Sequence, residues 1–209
     1  MNLLGVVLAG GASQRLGSDK AELRLTGEPL WRRQMKVLRS AGAGRVVLVR
    51  RPGQSAPDGI ECWRDGTEGA GPLRGLRAAL APRLAPFVAV LAVDMPGIDA
   101  AWFRWLAKFC RAGSGAMACH PEAYEPLAAI YPAEALAAVE GHLAGDDQSL
   151  QSLAWDLASA GRVSLHPLTK KKALRLTSIN TPAHLDFWKT RLGTGARGAA
   201  SQVPVPDQP

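Results

Sequence analysis

Cysteine is scarce in this chain, and none of the three is placed for chemistry. Cys62, Cys110 and Cys119 are scattered, form no CxxC, and make no metal-ligand spacing with the four histidines. They read as buried structural thiols, and Cys119-His120 as chance neighbours rather than a nucleophile and its base. Long apolar runs are absent too, so no segment reaches the length of a bilayer span. The first residues have no basic region and no small-residue cleavage site, so a secreted or membrane location is not expected and a cytoplasmic one is. Three nucleotide and hydrolase signatures are missing as well. Ser18, not Lys, follows Gly17, which breaks GxxxxGK; Gly10 and Gly11 are adjacent, which breaks GxGxxG; and no GxSxG occurs. A P-loop hydrolase, a nicotinamide dehydrogenase and a nucleophile elbow are set aside on those grounds.

What is present is an ordinary soluble composition with an excess of positive charge. The 209 residues are 47% hydrophobic and 21% charged, with a formal net charge of +7. That length suits one domain with a sizeable core. The charge is spread over Arg32-Arg33, Arg50-Arg51 and Lys170-Lys171-Lys172, with no basic stripe and no interleaved aromatics. Nucleic acid is therefore not the expected partner, and a small phosphorylated substrate fits diffuse charge equally well.

The opening stretch is the most informative. An apolar run, Leu3–Ala9, stops at Gly10-Gly11, and a loop with Ser13, Arg15, Gly17, Asp19 and Lys20 follows. The run reads as a buried strand. Glycines at its end let backbone amides approach a ligand, and two cations in the same loop favour a polyphosphate. A plain glycine turn with two solvated basic residues explains the same pattern.

The rest of the first half alternates. Thr26-Gly27 reads as a turn, and Pro29 suits the first turn of a helix with Trp31, Met35 and Leu38 on one face. Arg45–Val49 and Ile60–Trp63 read as strands, with Asp65 just beyond the second. The glycine loop 66–71 precedes a helix opened by Pro72. Phe87–Val93 is an apolar strand ending at Asp94-Met95-Pro96, and Asp99 N-caps a helix carrying Trp102, Leu106 and Phe109. In the second half, Ala116–Cys119, Leu127–Tyr131, Val163–Leu165 and Ala173–Thr177 read as strands. Helical spacing recurs at Leu136, Val139 and Leu143, at Leu150, Leu153 and Leu157, and after Thr181-Pro182. The expected class is α/β: a single three-layer α/β/α Rossmann-like domain with a mostly parallel central sheet over residues 1–192, and a disordered tail over 193–209.

Ligands of such sheets bind outside the carboxyl ends of the strands. Gly10–Lys20, Asp65 and Asp94 all fall there. Two carboxylates beside a basic loop suggest a divalent metal, and magnesium takes one or two carboxylates plus substrate phosphates. Asp94 ends the most apolar strand and precedes a proline; it reads either as a metal ligand or as a turn former. This inventory fits phosphoryl or nucleotidyl transfer without a covalent intermediate.

These residues also carry a resemblance. LAGGASQRLGSDKAEL (Leu8–Leu23) resembles the signature loop of the molybdenum cofactor guanylyltransferase family, within the glycosyltransferase-A-like nucleotidyltransferase superfamily. Asp65 with GPLRGL, LAVDMP, EPLAAIY, GDDQSL and SINTPAHL resemble later family segments in the same order. The resemblance implies transfer of GMP from Mg-GTP to the terminal phosphate of molybdopterin, with release of pyrophosphate. It implies that Leu8, Ala9, Gly10 and Gly11 hold the guanine and ribose end, and that Arg15 and Lys20 neutralise the triphosphate. Asp65 would contact the nucleotide, Asp94 would hold Mg2+, and Asn180 would lie toward the pterin. Molybdoenzyme maturation proteins are further partners it implies. Two positions depart from the family pattern. Arg50-Arg51 stands where Asn-Ala-Asn-Arg is frequent, which puts one nucleotide contact in doubt, and Ser178 stands where a first Asn occurs. The alternatives are a molybdopterin cytidylyltransferase, a sugar- or polyol-phosphate nucleotidyltransferase, and a non-catalytic nucleotide-binding module.

Overall fold

The computed structural model describes residues 1–11, 19–66, 71–121 and 123–193. Arg15 lies outside the described residues, as do 67–70 of the second glycine loop and the tail from 194 on. The chain runs β1 (Leu3–Leu8), a hairpin of β2 (Arg24–Leu25) and β3 (Glu28–Pro29), α1 (Leu30–Ser40), β4 (Arg45–Arg50), β5 (Cys62–Arg64) and α2 (Pro72–Leu80). Then come β6 (Phe87–Ala92), α3 (Ala100–Ala107), β7 (Gly115–His120), β8 (Ala123–Tyr124), β9 (Ala128–Pro132), α4 (Leu136–Ala144), α5 (Leu150–Ser159), β10 (Val163–Pro167), α6 (Lys170–Ala173) and α7 (Pro182–Gly193).

The main sheet has the order β10-β7-β9-β6-β1-β4-β5, with β8 beside β7. Only β9 and the short β8 run against the rest. Apolar residues line both faces of the central strands, because helices cover both. In β1, Leu4 and Val6 face one core and Leu3 and Val7 the other. The first core is completed by α2, α4 and α5 through Leu76, Val139 and Leu153. The second is completed by α1, α3 and α7 through Met35, Phe103 and Trp188. This is the three-layer arrangement that the alternation of elements implied.

Local sequence explains most boundaries. Thr26 and Gly27 both have positive φ, 53° and 83°, as a two-residue hairpin turn of the right twist requires. Asp99 caps α3 by accepting a hydrogen bond from the Trp102 amide at 3.0 Å. Two readings need correction. Pro29 is extended and closes the hairpin, so it precedes α1 instead of entering its first turn. Ala173–Thr177 is no strand: it is the end of α6 and a 3-10 turn over Leu174–Leu176. Its alternating apolar residues suit either conformation, and it joins neither sheet. The segment instead crosses the face covered by α3, where Arg175 pairs with Asp99 at 2.8 Å.

That crossing leaves no room at Gly97, just past the end of β6. A Cβ there would lie 2.5 Å from the Arg175 carbonyl oxygen and would overlap the Trp188 ring. Gly97→Ala is expected to destabilise the fold by about 1–3 kcal/mol through overpacking. Thermal unfolding checks it, with a Tm lower by several degrees as the expected outcome.

Candidate active site

Six of the seven long strands end at one edge of the sheet, and β9 begins there. A cleft of about 500 Å³ opens over the ends of β1, β4, β5 and β6. Leu8, Ala9, Gly10, Gly11, Lys20, Asp65 and Asp94 all line it, together with Arg51, Gly75 and Leu127. Every nucleotide-side residue singled out in the sequence therefore reaches one cavity, apart from Arg15, which lies outside the described residues. Gly75 matters for its shape. It brings α2 so close to β1 that an added Cβ would sit 3.2 Å from Leu8 Cδ2.

Lys20 is the node of the site. Its ammonium donates to Asp94 Oδ2 at 2.9 Å and to Asn180 Oδ1 at 2.7 Å. Lys20 and Asp94 are about one-fifth exposed, so the pair is reachable by a ligand without being fully solvated. Three segments far apart in sequence must be delivered to this point. Asp94 sits in a turn held by α1: the buried Gln34 donates to the Met95 carbonyl at 2.8 Å. Asn180 arrives because the Ile179 amide donates to the Asp94 carbonyl at 2.8 Å. The Trp188 indole, donating to the Thr177 carbonyl at 3.0 Å, holds the same segment from behind.

Lys20 itself opens a 3-10 turn, Lys20–Glu22, that Asp19 caps through the Ala21 amide at 2.9 Å. The turn is clamped by Arg50, whose side chain is 1% exposed. Arg50 pairs with Asp19 through Nη2 and with Glu22 through Nη1, the latter at 3.3 Å. Trp31 adds a bond to Glu22 from α1. In the sequence Arg50 counts as part of the diffuse positive charge and as a departure from a family pattern, with no role in the site. Its signal was there: an arginine ending a strand that is otherwise β-branched and apolar has to be paired if that strand is buried.

Asp65 has a different character. It is 7% exposed, its Oδ1 has no hydrogen-bond partner among the described residues, and burial raises its carboxyl above the usual range. Arg51, Arg74 and Arg64 oppose that rise. Its other oxygen lies against Gly10, where an added Cβ would be only 2.5 Å away. Glycine is needed at position 10 to admit this carboxylate. None of the cysteines lines the cleft, and all three are half-buried where the sequence reading expected buried thiols. Burial pushes the Cys110 thiol up to about 11, and His120 pairs with Glu125 at 3.2 Å instead of with Cys119. No cluster of three metal-binding side chains occurs among the described residues.

Residues 5–160 match the family described as a MobA-like NTP transferase domain. The chain is 46% identical over 188 residues to a probable molybdenum cofactor guanylyltransferase of Opitutus terrae, covering 88% of this chain and 93% of that one. It is 38% identical over 151 residues to a protein of the same description from Deinococcus radiodurans, covering 71% and 77%. Among solved structures it is similar to molybdopterin-guanine dinucleotide biosynthesis protein A from Archaeoglobus fulgidus, with a TM-score of 0.73, 23% identity and coverage of 91% and 99%. A 2-C-methyl-D-erythritol 4-phosphate cytidylyltransferase from Thermus thermophilus shares the fold at a TM-score of 0.70 and 16% identity, over 91% and 98% of the two chains.

The Arg50 clamp yields a direct test. Arg50→Met keeps the volume but leaves Asp19 and Glu22 without their guanidinium. The expected loss is roughly 1–3 kcal/mol of stability, the range for charged hydrogen bonds. Nucleotide-dependent turnover should also fall at least tenfold, because the turn that presents Lys20 is released. Arg50→Lys should not rescue it, since an ammonium cannot make the forked contact. Urea unfolding and steady-state kinetics on the two variants check both points.

Proposed function

The chain belongs to the MobA-like NTP transferase family, and on that premise we propose that it transfers GMP from GTP to the terminal phosphate of molybdopterin, releasing pyrophosphate. The observation that carries the reading is the Lys20 ammonium between Asp94 and Asn180 at the mouth of a nucleotide-sized cleft. A phosphate oxygen of the acceptor attacks the α-phosphorus of the nucleotide. The new phosphorus–oxygen bond forms as the bond to pyrophosphate breaks, and no enzyme nucleophile is needed. The chain's part is to align the two reactants and to place positive charge where negative charge accumulates.

Lys20 supplies that charge from the protein side. It is oriented before substrate arrives, because two acceptors hold it. We assign Leu8, Ala9, Gly10, Gly11 and Asp65 to the nucleoside, and Asn180 to the acceptor side of Lys20. The donor set fits magnesium: one partly exposed carboxylate, Asp94, beside space for substrate phosphates, without a closed protein cage. Asp94 would hold the ion, which when bound neutralises phosphate charge.

The relatives described as guanylyltransferases favour GTP as donor, while the shared fold with a cytidylyltransferase shows that fold alone does not choose the base. No helix among the described residues is long and apolar enough to cross a membrane. We place the reaction in the cytoplasm, with molybdoenzyme maturation proteins as recipients of the product; the resemblance of the sequence motifs supports that choice of recipients.

Two measurements test this reading. With molybdopterin as acceptor, pyrophosphate release should be seen with GTP and not with CTP or UTP, and turnover with CTP alone would refute the assignment. Lys20→Ala should lower kcat by roughly 100- to 1000-fold, the scale of losing one preorganised charge-stabilising donor. Calorimetry should show only a modest loss of GTP affinity. Equal turnover would remove Lys20 from the mechanism.

A further inference from the structure

The cleft contains an unpaired acceptor and an unpaired donor side by side. Asp65 Oδ1 and Arg51 Nε are both buried and both without hydrogen-bond partners among the described residues. Arg51 is pinned at the backbone from two sides: its amide donates to Gln54 Oε1 at 3.0 Å, and its carbonyl accepts from Arg64 at 3.1 Å. Its side chain passes beside Gly10, where an added Cβ would meet Arg51 Cγ at 3.1 Å. The two residues therefore flank the Gly10 backbone in the lining of one cavity. A buried polar group without a partner costs free energy, so a ligand that satisfies both groups gains what the free protein lacks.

The pattern selects among bases. An ionised carboxylate accepts two parallel bonds, and a guanidinium fork donates two. Guanine offers two adjacent donors, N1–H and the 2-amino group, and next to them two adjacent acceptors, O6 and N7. Adenine and cytosine present a single exocyclic amino donor beside a ring acceptor, so neither fills both forks. We propose that Arg51 is a base-reading residue that donates to guanine O6 and N7 while Asp65 accepts from N1–H and the 2-amino group. The proposal rests on the reading of this cleft as a nucleotide site and adds how that site distinguishes its base. It gives Arg51 a task at the place where the sequence motif departs from its relatives.

The test uses the full chain and nucleotides lacking single groups. GTP, 7-deaza-GTP, 2-aminopurine riboside triphosphate, ITP and CTP are compared by calorimetry and by KM and kcat. The wild type should bind 7-deaza-GTP, which lacks N7, and the 2-aminopurine analogue, which lacks O6 and with it the N1–H, roughly 10- to 100-fold more weakly than GTP. ITP, which lacks the 2-amino group, should also bind more weakly. Arg51→Ala should raise KM for GTP by a similar factor with kcat changed less than threefold, and should bind GTP and 7-deaza-GTP alike, while the 2-aminopurine analogue stays weaker because Asp65 still loses the N1–H donor. Arg51→Lys keeps the charge but loses the fork, so it should behave like the alanine variant toward 7-deaza-GTP. If the wild type does not discriminate against the two analogues, or if Arg51→Ala weakens GTP and CTP equally, Arg51 contributes only charge and the inference is overturned while the enzyme reading stands. A wild-type preference for CTP overturns both. The analogue series on the wild type decides the matter even if the alanine variant fails to fold.

Discussion

The contact on which the site depends is the Lys20 ammonium between Asp94 and Asn180. It joins the loop after β1, the turn after β6 and the segment before α7 at a single cation. No two of these segments are neighbours in sequence, so the contact exists only if the sheet order, the α1 packing and the C-terminal crossing are all correct. An ion pair about one-fifth exposed adds little to stability, because solvent screens it and ordering long side chains costs entropy. Its value is positional. The surrounding hydrogen bonds, from Gln34 to the Met95 carbonyl and from Ile179 to the Asp94 carbonyl, hold the acceptors where the ammonium must be.

The molecule places its buried charges unevenly. Arg50 is almost fully enclosed, yet two carboxylates on the Asp19–Glu22 turn meet it, so its burial works as a fastening for that turn. Arg50 Nε, Asp65 Oδ1 and Arg51 Nε are all buried without a hydrogen-bond partner among the described residues, but of the three residues only Asp65 and Arg51 line the cleft. Stable cores satisfy such atoms internally. Unsatisfied ones at a ligand-sized cavity are where binding free energy can be gained, and burial holding the Asp65 carboxyl above its usual range has the same physical origin. Close packing of backbone makes the arrangement possible. Gly10 admits the Asp65 carboxylate, and Gly97 lets the C-terminal segment cross behind Asp94.

A cytidylyltransferase from Thermus thermophilus has the same architecture at 16% identity, so the three layers and the cleft at the strand ends are a general platform. On the proposed reading, Arg51 and Asp65 choose the base and Lys20 and Asp94 serve the transfer. Arg51 and Asp65 follow β4 and β5 on one side of Gly10-Gly11, and Asp94, which Lys20 meets, follows β6 on the other.

The sequence by itself determined the layers, most strands and seven of the residues that line the cleft. Apolar runs bounded by glycine and proline, helical spacing and strand-end position are local patterns, and local patterns survive in one dimension. It misread Ala173–Thr177, because alternation in five residues fits a strand and a tight turn equally, and only packing against the Gly97–Asp99 turn decides between them. It missed Arg50 and Gln34, whose roles depend on partners 28 to 61 residues away. Nor did it show that Asn180 meets Lys20 across 160 residues, or that Asp65 Oδ1 and Arg51 Nε have no partner among the described residues of the cleft they share. Those facts belong to tertiary structure alone. Residue type says what a side chain can donate or accept, and only the fold decides whether something is there to meet it.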